Sequence, residues 1–169
     1  MISAVISSTL LSSVFLIIQT TWLKNGLFWG VIPDFCLLVI VWVAYWNKNS
    51  QGAITGFLSG IVCDLLSSSP LGYFSFLYIV PAYAATMLRR VLTMDTFFIP
   101  VLAGFGATLL KGFSSMILLL LFGAENINAY SLSDYHFWIE AALNGAAAPL
   151  LFLLLNRLKK FLITKRVTE

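Results

Sequence analysis

The chain has 169 residues, of which 60% are hydrophobic and 10% are charged, and its formal net charge is +3. Soluble domains carry about 25% charged residues, so a soluble fold this apolar could not cover its own surface. The composition therefore excludes a soluble globular domain and predicts an integral membrane protein. The small positive charge does not indicate nucleic acid, because the Lys and Arg residues lie near the ends of apolar segments.

Six apolar segments follow one another along the chain. Their runs are continuous rather than alternating, and lipid offers no partner to the backbone, so each segment is predicted to be a helix rather than a strand of a barrel. We expect an all-α bundle of six transmembrane helices in a single domain. The spans are placed at about 3–23, 28–46, 52–66, 71–88, 97–122 and 136–156, and residues 157–169 form a basic tail.

The basic residues predict the orientation of the spans. With the N-terminus in the cytoplasm, eight of the ten Lys and Arg residues fall in cytoplasmic segments. Only Lys24 falls outside, and Lys111 lies within the fifth span. The positive-inside rule therefore places both termini in the cytoplasm. The eight cytoplasmic residues are Lys48, Arg89, Arg90, Arg157, Lys159, Lys160, Lys165 and Arg166.

Polar residues inside the spans form the first candidate site. In this topology Asp34, Asp64 and Glu140 lie at one level near the outer face, Asn144 lies one turn deeper, and Lys111 lies near the middle of its span. Charges at membrane depth are costly unless they are paired, and they often mark function. We expect an intramembrane polar network of these five residues. Two alternatives stay open: the aspartates only terminate helices, or the charges relay a proton or an ion.

A row of glycines in the third span forms the second candidate site. Gly52, Gly56 and Gly60 stand four residues apart and are followed by Asp64. Residues at this spacing share one helix face, and small side chains there let another helix approach closely. The neighbour is either another helix of the same chain or the helix of a partner.

Residues suited to catalysis are few. Cys36 and Cys63 lie in apolar runs, which predicts neither a disulfide framework nor a metal site. The single histidine, His136, is not accompanied by a catalytic triad or a phosphate-binding motif. We therefore expect a protein that is not an enzyme and that has no cofactor or metal.

Three motifs follow one another between residues 30 and 90. The first is the Pro-Asp pair Pro33 and Asp34. The second is a glycine row that ends in Asp-Leu, at Gly56, Phe57, Gly60, Asp64 and Leu65. The third is the turn Pro70, Leu71 and Gly72. These motifs in this order resemble the pattern of the MreD family of rod shape-determining proteins.

The resemblance implies a role in cell shape and a place in the bacterial inner membrane. It implies a non-enzymatic scaffold of the elongation machinery that binds an MreC-like single-span partner and helps to organise peripheral peptidoglycan synthesis. A RodA-type glycosyltransferase, a class B penicillin-binding protein and an MreB-type filament would be indirect partners, and membrane lipids would surround the bundle. The candidate docking residues for the partner are Pro33, Asp34, Gly52, Gly56, Gly60, Asp64, Pro70 and Gly72.

Two other functions are considered. The family also resembles in fold the S components of energy-coupling-factor transporters, so the chain could bind a small vitamin or metabolite in an outward-facing polar pocket. A proton-coupled transporter that uses Lys111 and the acidic residues is the third possibility.

Overall fold

The computed structural model describes residues 2–22, 30–47, 50–67, 69–89, 97–123 and 134–163. Within these ranges the chain forms helices and no β-strand. The expected loop at 24–27, most of the expected loop at 123–135 and the tail beyond residue 163 lie outside the described residues. The helices are α1 (Ile2–Thr21), α2 (Phe35–Trp46), α3 (Gln51–Leu66), α4 (Tyr73–Leu88), α5 (Phe98–Phe122), α6 (Tyr135–Arg157) and α7 (Lys159–Leu162).

Hydrogen bonds between α1 and α3 show that these two helices run parallel. Ser8 Oγ lies 3.0 Å from Thr55 Oγ1, and Ser12 Oγ lies 2.6 Å from Ser59 Oγ. Both pairs are buried and are separated by the same 47 positions in sequence. The two helices therefore advance together, with one hydroxyl pair per turn between them.

From α1 to α6, each helix runs opposite to the one before it. Gly52 of α3 faces Ala44 of α2, whereas Gly56 faces Ile40, so the order along the two helices is reversed. The same reversal holds for α3 with α4, α4 with α5 and α5 with α6. The bundle thus has an Asp34 end, where α2, α4 and α6 begin, and a Trp46 end, where they finish. The start of α1 and all of α7 lie at the Trp46 end.

The short helix α2 forms the centre of the bundle. Every residue from Cys36 to Tyr45 is buried, and the helix packs against α1, α3, α4, α5 and α6. Its 12 residues span about 18 Å, which is less than the roughly 30 Å of a bilayer core. A helix that is apolar on all sides is expected in such a position, because its neighbours and not lipid surround it.

The helices begin and end within two residues of the expected apolar segments, except at one boundary. The second span was expected to start at residue 28, but α2 begins at Phe35. The physical reason is local. Gly30 has a φ of 79°, Pro33 disfavours helix in the residue before it, and the Asp34 side chain accepts a hydrogen bond from Leu37 N–H as the N-cap.

Length divides the six main helices into two groups. Helices α1, α5 and α6 have 20 to 25 residues and are apolar enough to cross a membrane. Helices α2, α3 and α4 are apolar but have only 12 to 16 residues. Six transmembrane spans with cytoplasmic termini therefore stay a prediction. The start of the expected basic tail forms one further short helix, α7.

A second aspartate caps α6 at the Asp34 end. Asp134 accepts hydrogen bonds from the backbone N–H of His136 at 3.1 Å and lies 2.8 Å from Nδ1 of the same ring. These contacts, the backbone bond foremost, hold the pKa of the Asp134 carboxyl below its ordinary value. A negative side chain here also suits the positive end of the helix dipole.

Candidate functional site

Lys111 binds two carboxylates inside the bundle. Its Nζ lies 2.7 Å from Asp34 Oδ2 and 2.7 Å from Glu140 Oε1. The side chain of Lys111 is 2% exposed, and those of Asp34 and Glu140 are 7% and 11% exposed. The middle of α5 is thereby joined to the start of α2 and to the second turn of α6.

Asp34 also holds three further groups in place. Its Oδ1 caps α2 by accepting from Leu37 N–H at 3.0 Å, and its Oδ2 accepts from the Tyr78 hydroxyl at 3.2 Å. Its own backbone N–H donates to Asn144 Oδ1 at 2.7 Å. The residue is therefore both a helix cap and a member of the buried ion pair.

Asn144 extends this network to α5. Its Nδ2 donates to Thr108 Oγ1 at 2.8 Å, and the Thr108 hydroxyl donates to the Gly104 carbonyl at 3.0 Å. Asn144 and Thr108 are both fully buried. We call Asp34, Tyr78, Thr108, Lys111, Glu140 and Asn144 the core network; its members come from α2, α4, α5 and α6 or their caps.

The core network contains two carboxylates and one ammonium. Removing charges from water costs several kcal/mol for each ion, and close pairing with additional hydrogen bonds offsets this cost. Well-packed apolar residues of similar volume are often as stabilising as such a network, so the network is weak evidence for net stability. This arrangement can join four helices in one geometry.

Asp64, which was expected in the same network, has different partners. Its carboxylate accepts from the backbone N–H of Gly72 at 2.9 Å, of Phe74 at 2.7 Å and of Ser75 at 3.4 Å. It also accepts from the Ser75 hydroxyl at 3.0 Å. Asp64 at the end of α3 thus satisfies the free donors at the start of α4, where Gly72 itself has no side chain to do so.

The glycine row lies against helices of the same chain. A Cβ at Gly60 would lie 2.5 Å from Ser75 N and 2.8 Å from the carbonyl carbon of Phe74, and both are backbone atoms of α4. A Cβ at Gly56 would lie 3.0 Å from Tyr78 O, and one at Gly52 would collide with Ala44. This face of α3 is covered by α2 and α4, so it is not open to a partner.

The remaining candidate docking residues divide into buried and exposed positions. Pro33 is buried beside Asp34, whereas Pro70 and Gly72 are exposed in the turn before α4. That turn lines a largely apolar groove of about 600 Å³ between the start of α4 and the end of α5. We call it the turn groove, and its lining residues are Pro70, Leu71, Gly72, Tyr73, Phe76, Leu118, Leu121 and Phe122.

Sequence reasoning missed Tyr78, Thr108 and the hydroxyl pairs between α1 and α3. A tyrosine or threonine in an apolar span is common and gives little signal alone. The hydroxyl pairs had a visible signal, because Ser8 and Ser12 share one helix face at a spacing of four, as do Thr55 and Ser59.

The fold and the core network define the class of the protein: an all-helical membrane protein whose buried charges join its own helices. A family model described as rod shape-determining protein MreD matches residues 1–158. The chain therefore belongs to the MreD family, and the match extends well beyond the stretch in which the motifs were found. No curated protein sequence and no solved structure shows significant similarity to it.

Proposed function

We propose that the protein is a non-enzymatic membrane scaffold in rod shape determination. It binds an MreC-like single-span partner and thereby helps to position peripheral peptidoglycan synthesis in the bacterial inner membrane. Membership of the rod shape-determining family supports this proposal. The core network supports it as well, because its charged groups join α2, α4, α5 and α6 to one another in a fixed arrangement.

The exposure of the turn groove is the reason for proposing it as the contact surface. The glycine row is covered within the chain, but the motif turn remains exposed, and Leu71 has 76% of its surface accessible. An apolar groove beside an exposed turn fits the span of a partner helix and the segment that leaves the membrane above it. We assign this surface to the MreC-like partner.

Co-purification of the two proteins tests the assignment. The tagged protein is co-expressed with an MreC-like partner, gently solubilised and analysed by native mass spectrometry. Leu71→Ala should lower the amount of complex about tenfold, because a central contact at an interface contributes about 1–2 kcal/mol. The matched control is Leu10→Ala, which removes a similarly exposed leucine from α1, far from the turn groove.

Three results bear on the proposal. Loss of complex in Leu71→Ala but not in Leu10→Ala supports the docking surface. An intact complex in both variants contradicts the assignment of the turn groove as the docking surface, but it does not contradict the scaffold function. A retained vitamin-sized ligand without any single-span partner contradicts the scaffold and supports the S-component-like alternative.

A further inference from the structure

Two cationic side chains converge on Trp46 at the end of the central helix. Lys159 Nζ lies 3.1 Å above the centroid of the Trp46 ring. Arg89 Nη1 donates to the Trp46 carbonyl at 2.7 Å and to the Tyr45 carbonyl at 3.4 Å. Arg89 follows α4 and Lys159 begins α7, so three separate helices meet here. We call Trp46, Arg89 and Lys159 the Trp46 cluster.

Charge is distributed unevenly between the two ends of the bundle. Among the described residues, the acidic side chains are Asp34, Asp64, Asp134 and Glu140, and all four belong to the Asp34 end or to the core network. The Trp46 end carries Arg89, Arg157, Lys159 and Lys160. The described residues at this end therefore carry a net positive charge, and Arg89 and Lys159 are the half-buried cations among them.

The local chemistry suits a phosphate group. Arg89 uses one nitrogen to cap the carbonyls of α2, and its planar guanidinium has further N–H donors that match phosphate oxygens. Lys159 adds a second positive charge. Tryptophan is enriched at the boundary between lipid and water, where phospholipid phosphates lie.

We infer that the Trp46 cluster binds the phosphate of an anionic phospholipid headgroup. The acyl chains would lie along the neighbouring apolar helices, and the phosphate would lie between Arg89 and Lys159. This inference goes beyond the proposed scaffold function and does not depend on it. The occupant is a membrane lipid, because the cluster lies at the end of apolar helices that face lipid.

Lipid binding by the full chain tests this site. The delipidated protein in detergent is titrated with phosphatidylglycerol and, separately, with phosphatidylcholine, and bound lipid is counted by native mass spectrometry. The double variant Arg89→Gln with Lys159→Gln should bind phosphatidylglycerol at least tenfold more weakly, since each basic group near an anionic lipid makes a substantial contribution. Phosphatidylcholine binding should remain unchanged.

The matched control is the double variant Arg157→Gln with Lys160→Gln, which removes two exposed cations from the same end. It should retain most of the phosphatidylglycerol affinity. Because Arg89 also caps α2, Lys159→Gln alone provides a variant that keeps this cap and should lose about threefold in affinity.

Three outcomes would overturn the inference. Equal losses in both double variants would mean that diffuse charge, and no local site, attracts the lipid. Equal binding of phosphatidylglycerol and phosphatidylcholine by the wild type would mean that the cluster does not recognise an anionic headgroup. Inorganic phosphate at millimolar concentration should not displace the lipid, and full displacement would assign the site to free phosphate instead.

Discussion

Lys111 shows how a charge in the middle of an apolar helix is accommodated. Its position in the fifth apolar segment was sufficient to predict a buried partner, because an unpaired ammonium is strongly disfavoured there. The structure supplies two partners, Asp34 and Glu140, at equal distances of 2.7 Å. Removal of the lysine would leave two carboxylates close together without a cation.

We therefore predict that Lys111→Met lowers the free energy of unfolding by about 3–5 kcal/mol, the range for breaking one side of a buried pair. The measurement is reversible unfolding in mixed micelles, followed by circular dichroism. Glu140→Gln is the control, because its amide oxygen can still accept from Lys111 and a one-to-one ion pair remains. It should cost less than about 1 kcal/mol. Equal stability of Lys111→Met and the wild type would contradict a structural role for the lysine.

Asp64 illustrates a residue whose role the sequence left open between a cap and a member of the charge network. Its four hydrogen bonds to the start of α4 identify it as a cap that acts from a neighbouring helix. The carboxylate lies eight to eleven positions before its partners. A local cap pattern is shorter, so ordinary capping rules did not predict this one.

Replacing Asp64 by alanine should lower the free energy of unfolding by about 2 kcal/mol, because several backbone donors lose their acceptor. Asp64→Asn should cost less, since one amide oxygen still accepts. Hydrogen exchange at Phe74 and Ser75 should accelerate in the alanine variant. Unchanged exchange at these two amides would show that the carboxylate is not the cap.

At the scale of helices, the glycine row predicts close packing but not the identity of the neighbour. A spacing of four places Gly52, Gly56 and Gly60 on one face, and this is a local property of the sequence. Which helix covers that face depends on the tertiary fold. The structure places α2 and α4 there, so a partner must use another surface.

The contact between α3 and α4 gives a matched pair of alanine substitutions. Gly60→Ala should destabilise the bundle by about 2–3 kcal/mol, because its Cβ would meet backbone atoms of Ser75 and Phe74 that cannot move independently. Gly106→Ala on α5 should be neutral or stabilising by up to about 1 kcal/mol, since nothing lies within 4 Å of that Cβ and alanine favours helix. Thermal unfolding of both variants tests this difference. A Gly60→Ala variant as stable as Gly106→Ala would mean that the two helices are not in close contact.

At the scale of the whole molecule, the sequence predicted the helical class and most helix boundaries because apolar length is a strong signal. It could not predict that α2 is short and enclosed by five other helices, since a buried helix and a membrane-exposed one have similar composition. It predicted Asp34, Lys111 and Glu140 as charges that need partners. The contacts of the core network with Tyr78 and Thr108 could not be predicted, because only the fold brings these side chains together.

The predicted orientation of the bundle in the membrane rests on one structural fact and one general rule. The structure places Leu71 and Phe161 at opposite ends, with exposed fractions of 76% and 71%. The excess of Lys and Arg at the Trp46 end predicts that this end faces the cytoplasm. We therefore expect Leu71→Cys to react with a membrane-impermeant maleimide in intact spheroplasts.

Phe161→Cys should react only after the membrane is permeabilised. Both variants are made with Cys36 and Cys63 left in place, because these thiols are buried and should not react in the folded protein. The unmodified chain measures that background. Labelling of Phe161→Cys alone in intact spheroplasts would invert the topology. The Trp46 cluster would then face the outer leaflet, and the turn groove would face the cytoplasm.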